Sequence, residues 1–193
     1  MYSESTLPDY LARGLSILFV GINPGLYSVR QGHYFARRSN RFWPALSRSR
    51  LSEPIRSALA KETLVPEDDA ILLDFGIGFT DVVKRPTRNA SELRPEEFQA
   101  AAPGLLSLLG EYQPLIACFH GMTGYRPFVR YALGEAGTPR ELGPQPLRAG
   151  RTQLYVVPSP SPANAHFRTQ DQVDWYDRLA DYCAGQLAVR EDI

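Results

Sequence analysis

The sequence is poor in cysteine and lysine. Its 193 residues hold two cysteines, Cys118 and Cys183, far apart and each inside an apolar pattern. With no CxxC and no Cys/His cluster, no zinc or iron–sulfur framework is expected, and no cofactor or metal is called for. Buried thiols in a reducing compartment are the plain reading. No apolar run approaches the ~20 residues of a membrane span. No secretory leader opens the sequence, so a cytoplasmic protein without membrane contact is expected. Acidic residues are missing altogether from Leu11 to Ser52, a stretch that carries Arg13, Arg30, Arg37, Arg38, Arg41, Arg48 and Arg50.

That local gap is hidden by a net charge of zero, with 21 basic and 21 acidic residues. A basic side on a neutral protein suits a polyanionic partner met on one face, although a solvated basic surface gives the same pattern. Tyr27, His33, Tyr34, Phe35, Phe42 and Trp43 interleave with the arginines, and nucleic-acid bases stack on such rings. The length suits one domain spanning 1–193 with a substantial core, and a monomer is natural for it.

Strand-like and helix-like patterns alternate. Ser16–Gly21 is an apolar run bounded by turn residues, and Ile71–Phe75, Leu115–Phe119 and Leu154–Val157 read similarly. Between them the spacing predicts helices at Arg41–Ser49 (N-cap Asn40), Leu51–Lys61, about Pro95–Gly110 and Pro127–Leu133, with a last helix from Thr169. Met1–Gly14 reads as a polar lead-in, Pro24–Ser39 as a long loop and Gly134–Gly150 as a Gly/Pro-rich turn region. The alternation predicts an α/β fold, a three-layer α/β/α sandwich around a mainly parallel four-stranded sheet.

In such a sheet, ligands bind in loops leaving the carboxyl ends of strands. Those loops bring Asn23 and Phe35, then Asp81, then the stiff segment 158–162. An amide, an aromatic plate, a carboxylate and a rigid loop describe a pocket for a planar polar ligand. Each also has a structural reading. Asn23 and Asp81 can cap their turns, Phe35 can simply pack, and the prolines can be a rigid exit from the sheet. His120 reads as a structural histidine at a strand end, and His166 follows the Pro/Ser segment.

Three blocks carry a resemblance. GINPGLYS…GHYFARRSNRFWPAL, GIGFTDVVKRPT and VVPSPSPANAHF resemble, in matching order, motifs of the mismatch-specific uracil-DNA and thymine-DNA glycosylases of the uracil-DNA glycosylase superfamily. The first block is the most specific. The resemblance implies a DNA repair enzyme that flips out uracil, or a related mismatched or damaged pyrimidine. It would hydrolyse the N-glycosidic bond and leave an abasic site.

On that basis Asn23 positions the attacking water and Phe35 stacks on the base. Ile22, Ser28 and Tyr34 complete the base pocket, and His33 and Tyr34 stand at its mouth. Arg41-Phe42-Trp43 supports the loop structurally, with a phosphate contact by Arg41 as the alternative, and the segment Ser159, Pro160, Ser161, Pro162, Ala163 and Asn164 meets DNA. Asp81 departs from the amide or lysine of relatives, and a carboxylate there suits a general base or a stabiliser of a cationic sugar. Ala163 is too small to fill the gap left by a flipped base, which leaves Asn164 and the prolines, or a weak plug that relies on mispair instability. Neither Lys61 nor Lys84 falls at a pocket position, so a simple hydrolase without a Schiff base is expected. The competing readings are a noncatalytic binder of nucleic acid or bases, and an acyl hydrolase using Ser159 or Ser161 with His166. The latter lacks a GxSxG elbow.

Overall fold

Ile17–Gly21 forms a strand, β1, buried at every position, as a strand covered on both faces must be. Its alternate side chains serve two cores. Ile17 and Phe19 pack with Phe42, Trp43 and Tyr176, whereas Leu18 and Val20 pack with Phe98, Leu105 and Phe128. This is the computed structural model of the protein, and it describes residues 6–135, 137 and 141–191. Residues 1–5 of the expected lead-in, and 136 and 138–140 of the expected turn region, lie outside the described residues.

Four further strands join β1: β2 (Ile77–Asp81), β3 (Ile116–His120), β4 (Gly143–Ala149) and β5 (Thr152–Val157). The sheet order is β2-β1-β3-β5-β4, parallel except for β4, which runs antiparallel to β5. The chain leaves β1 to one side for β2 and returns to the other side for β3. The carboxyl end of β1 is therefore a topological switch point, where a crevice opens between diverging connections. Six helices follow in order: α1 (Leu26–Gln31), α2 (Phe42–Arg48), α3 (Glu53–Leu59), α4 (Pro95–Tyr112), α5 (Met122–Ala132) and α6 (Thr169–Glu191). The pair α2 and α6 covers one face of the sheet and the pair α4 and α5 the other. No helix among the described residues is long and apolar enough to cross a membrane.

The structure corrects the expected elements in three places. The sheet has five strands rather than four, because β4 runs through the expected turn region. Pro144 and Pro146 are tolerated there because β4 is an edge strand, and its pairing slips between Pro144 and Arg148. The expected strand Ile71–Phe75 lies within a 3₁₀ helix, Ala70–Phe75. Asp69 caps it by accepting the Ala70 N–H at 2.8 Å, and Gly76 ends it at φ +74°. The true strand, β2, begins one residue later. The expected loop Pro24–Ser39 contains α1, which Gly32 closes in the left-handed conformation at φ +77°. Asn40 does meet the start of α2, its side-chain oxygen accepting the Phe42 N–H at 2.9 Å.

Gly78 in β2 shows how closely the edge of the sheet is packed. A Cβ there would lie 2.4 Å from the Tyr10 carbonyl oxygen and 2.7 Å from Leu15 Cδ1. Gly78→Ala is expected to lower stability by at least ~1–3 kcal/mol, as overpacking of buried sites does. Urea denaturation read by circular dichroism checks this, and a variant as stable as the parent would contradict the packing described.

Candidate active site

The crevice beyond β1 is a cavity of about 970 Å³. Asn23, Phe35 and Asp81 all line it, together with Ile22, Ser28, Tyr34, His120 and the segment 158–164. Among these lining residues Asp81 is the only carboxylate.

Asp81 ends β2 directly beside Gly21, the last residue of β1. Its side chain lies across that glycine so closely that a Cβ on Gly21 would be 2.1 Å from Oδ1. Gly21 is thus the residue that lets a carboxylate stand there. Asp81 is 4 % exposed, and burial pushes its pKa up to about 7, with Asp9 adding to the rise and Lys84 opposing it. Lys84 itself is held off the cavity, its ammonium bonded to Asp9 and, at 2.7 Å, to Thr80 Oγ1.

Asn23 is fixed by its amide nitrogen. Nδ2 donates to the Arg85 carbonyl and to Thr87 Oγ1, both at 2.8 Å. A carbonyl can only accept, so the group facing Arg85 must be the NH₂, and Oδ1 is left as an acceptor. An amide cannot take a proton at neutral pH, so Asn23 can hold a water through Oδ1 but cannot deprotonate it.

Phe35 adopts φ +54°, a costly conformation for a residue with a side chain. Its neighbours hold it there. Tyr34 N–H donates to Asp69 Oδ2 at 2.9 Å, and Ala36 N–H donates to Ser28 Oγ at 3.2 Å. The half-buried ring stacks on Phe42, with centroids 4.3 Å apart and planes at 19°. One ring face is backed by core and the ring still borders the cavity, which makes a firm shelf.

Other expected site residues sit differently from the sequence reading. Tyr34 is 3 % exposed, stacks on Phe79 at 5.1 Å, and gives its hydroxyl to the Pro8 carbonyl at 3.1 Å. It forms the cavity's inner wall rather than its mouth. His33 is not at the mouth either; Nδ1 lies 3.1 Å from Asp69 Oδ1. The Ile22 carbonyl is taken by the Val83 N–H at 3.0 Å. Arg41, expected as a loop support with a phosphate contact as the alternative, turns inward. Nη2 donates to the carbonyls of Ser161 at 2.6 Å and Asn164 at 2.7 Å, while its N–H donates to the Pro160 carbonyl at 3.0 Å. Arg41 is therefore a staple for the Pro/Ser loop. Asn164 ties its own side chain to the Ser159 carbonyl at 3.1 Å, which leaves Pro162 and Ala163 as the exposed tip.

His120 is 3 % exposed, with Nε2 3.0 Å from the Tyr176 hydroxyl, and burial pushes its pKa down to about 3, so it is neutral. Gly121 follows at φ +90°, where a Cβ would press on Ser159 Cβ at 3.2 Å. Among the described residues no His/Cys/Asp/Glu cluster could hold a metal ion, and no hydrogen bond links His166 to Ser159 or Ser161. The partners Asp69, Thr87 and Arg85 escaped the sequence reading, although Arg85 and Thr87 stand inside the second quoted block.

The raised Asp81 pKa has a measurable cost. Folded protein holds the Asp81 proton more tightly than unfolded chain does, so this contribution to stability is complete below the ordinary carboxylate value of 3.8. It is lost as pH rises toward about 7. Asp81→Asn removes the ionisation and is expected to stabilise the protein at pH 8 by roughly 1–4 kcal/mol, with the gain vanishing near pH 4. Thermal unfolding across that range checks it; equal stability at pH 8 would mean the carboxylate is not desolvated.

Comparison with known proteins reaches the same region of fold space. The structure resembles the solution NMR structure of a Methanosarcina acetivorans protein that carries the provisional name uracil DNA glycosylase. The TM-score is 0.54 and the identity 22%, over 92% of this chain and 98% of that one. At that identity the likeness speaks to the fold alone. The family model described as the Uracil DNA glycosylase superfamily matches residues 8–180, nearly the whole chain and every strand and loop that builds the cavity. The chain therefore belongs to the uracil DNA glycosylase superfamily.

Proposed function

We propose that this protein is a monofunctional, mismatch-specific DNA glycosylase, working as a monomer in the cytoplasm and without a cofactor. It everts uracil, or a related mismatched or damaged pyrimidine, from DNA and hydrolyses its N-glycosidic bond. The observation that carries the reading is Asp81: the sole carboxylate among the residues lining the cavity, buried, with a pKa near 7, in one cavity with the Asn23 acceptor and the Phe35 shelf. The family membership and the provisional name of the Methanosarcina acetivorans structure support the same substrate class.

The everted base stacks on Phe35, with Ser28, Tyr34 and the backbone of Ile22 enclosing it. As the bond between C1′ and the pyrimidine nitrogen lengthens, its electron pair leaves with the base and the sugar becomes cationic. A water held by Asn23 Oδ1 adds to C1′ and gives a proton to the ionised Asp81. The carboxylate also stabilises the cation before the water adds. The departing pyrimidine anion takes up a proton from solvent and Asp81 returns its proton to water, so that the products are free base and an abasic sugar. Asn23 orients, Asp81 accepts the proton, and the loop Ser159–Asn164, stapled by Arg41, presents backbone to the flanking DNA.

The exposed tip, Pro162-Ala163, is small for filling a base-sized gap. Extrusion then depends on how weakly the target is held in its helix.

A uracil-containing oligonucleotide treated with protein and then alkali is expected to break at the uracil. Asp81→Asn should slow single-turnover excision by about 10²–10⁴-fold, with Asn23→Ala also slowing chemistry more than it weakens binding. The wild-type rate should climb with pH through about 7, because the ionised carboxylate is the working form. DNA binding without any alkali-labile site would favour a noncatalytic binder instead. In the same assay, uracil opposite guanine or in single strands should be excised faster than uracil opposite adenine; equal rates would mean that the small tip does not limit extrusion.

A further inference from the structure

Three arginines near the cavity have no acidic partner. Arg30 lies in the last turn of α1, Arg37 follows the Phe35 shelf, and Arg88 stands in the connection after β2; all three are exposed. None of the three guanidinium groups makes a hydrogen bond or ion pair with another described residue. Several other surface arginines are paired with acids: Arg50 with Asp177 and Asp181, Arg85 and Arg94 with Glu97, Arg168 with Asp171.

The three line one hollow of about 360 Å³ together with Leu26, Tyr27 and Asn89. It adjoins the active cavity, since Tyr27, Arg37, Arg88 and Asn89 border both. Glu92, the nearby acid in sequence, does not line the hollow and accepts the Asn89 N–H at 2.9 Å. Guanidinium groups gathered without a counter-charge repel one another, and an anion among them reverses the sign of the interaction. Their planar forks match phosphate oxygens.

The hollow also stands at a fixed distance from the chemistry. Leu26 N–H donates to the Thr87 carbonyl at 2.9 Å and Thr87 N–H to the Pro24 carbonyl at 3.1 Å. Thr87 Oγ1 is one of the acceptors that fix Asn23. The backbone carrying Arg30 and Arg88 is therefore stitched to the residue that holds the water.

Resting on the excision reading above, we propose that the Arg30–Arg37–Arg88 hollow binds one backbone phosphate of the strand that carries the everted nucleotide. It grips that strand at the β2 side of the cavity, while the Ser159–Asn164 loop meets it on the β5 side. The hollow then acts as a register clamp, setting which sugar stands over Asp81.

The test uses a duplex with one 2′-fluoro-deoxyuridine opposite guanine, a nucleotide that resists hydrolysis, and binding read by fluorescence anisotropy over a range of salt. Arg30→Gln and Arg88→Gln should each weaken binding about 5–20-fold, and each should flatten the dependence of log affinity on log salt by about 0.7–0.9. The double variant should flatten it no further, because both side chains serve one phosphate. Replacing linkages one at a time by neutral methylphosphonate should reveal one position that weakens the wild type but leaves the double variant unchanged. Unaltered affinity and salt slope in the folded double variant, with wild-type protein excising uracil normally, overturns the phosphate site and leaves the glycosylase reading standing. Arginine-dependent binding by a wild-type protein that excises nothing overturns the glycosylase reading and keeps the site.

Discussion

A carboxylate out of water is the constraint on which the rest of the site depends. Asp81 ends β2, the parallel strand at one edge of the sheet, where ionisation is opposed by burial and by Asp9 and only partly helped by Lys84. Such a group is tolerated in the fold only where space is made for it, and Gly21 makes that space. Because the two residues are register partners, the carboxylate emerges on the same edge as the turn that carries Asn23. The desolvation that makes the residue expensive also lifts its proton affinity into the range a base needs near neutral pH.

Around that charge the structure divides labour between rigid and tip residues. Asn23 is locked by the backbone that follows β2, Phe35 by Asp69 and Ser28, and the Pro/Ser loop by Arg41. These contacts lie behind the surface a ligand would meet, and they determine what the surface presents: one acceptor oxygen, one ring, one carboxylate. The chemistry these can support follows from their restraint. An amide with its nitrogen committed can only accept, and a ring backed by Phe42 can only stack.

Much of this was legible in the chain itself. A five-residue apolar strand breaking into Gly-Ile-Asn-Pro-Gly announces a buried parallel strand and its ligand loop, and α4 declares itself by Pro95, two glutamates and an apolar stripe. Other parts were hidden for physical reasons. β4 is disguised by prolines that only an edge can accept. Residues 71–75 form an apolar run too short to distinguish a strand from a helical turn, and Asp69 decides the matter from outside the run. A structural role for Arg41 was legible, but which loop it braces has no local signature, since its acceptors are carbonyls more than a hundred positions away. Tyr34 lines the cavity, but its ring is backed on Phe79 and its hydroxyl is spent on the Pro8 carbonyl, so it forms an inner wall. Pair patterns show strands and stripes, whereas which side chain meets which distant backbone is visible only after folding.

That long reach of Arg41 has a bearing on how the molecule is made. The guanidinium is synthesised early, and the carbonyls that satisfy it belong to residues 120 and 123 positions later. Contacts of such separation form late, because the intervening chain must be ordered first. During synthesis Asn23 and Asp81 therefore leave the ribosome well before the Pro/Ser loop exists, and the nascent chain can hold its chemical groups without the brace that completes their setting. Bracing of the Pro/Ser loop is coupled in this way to the docking of β5.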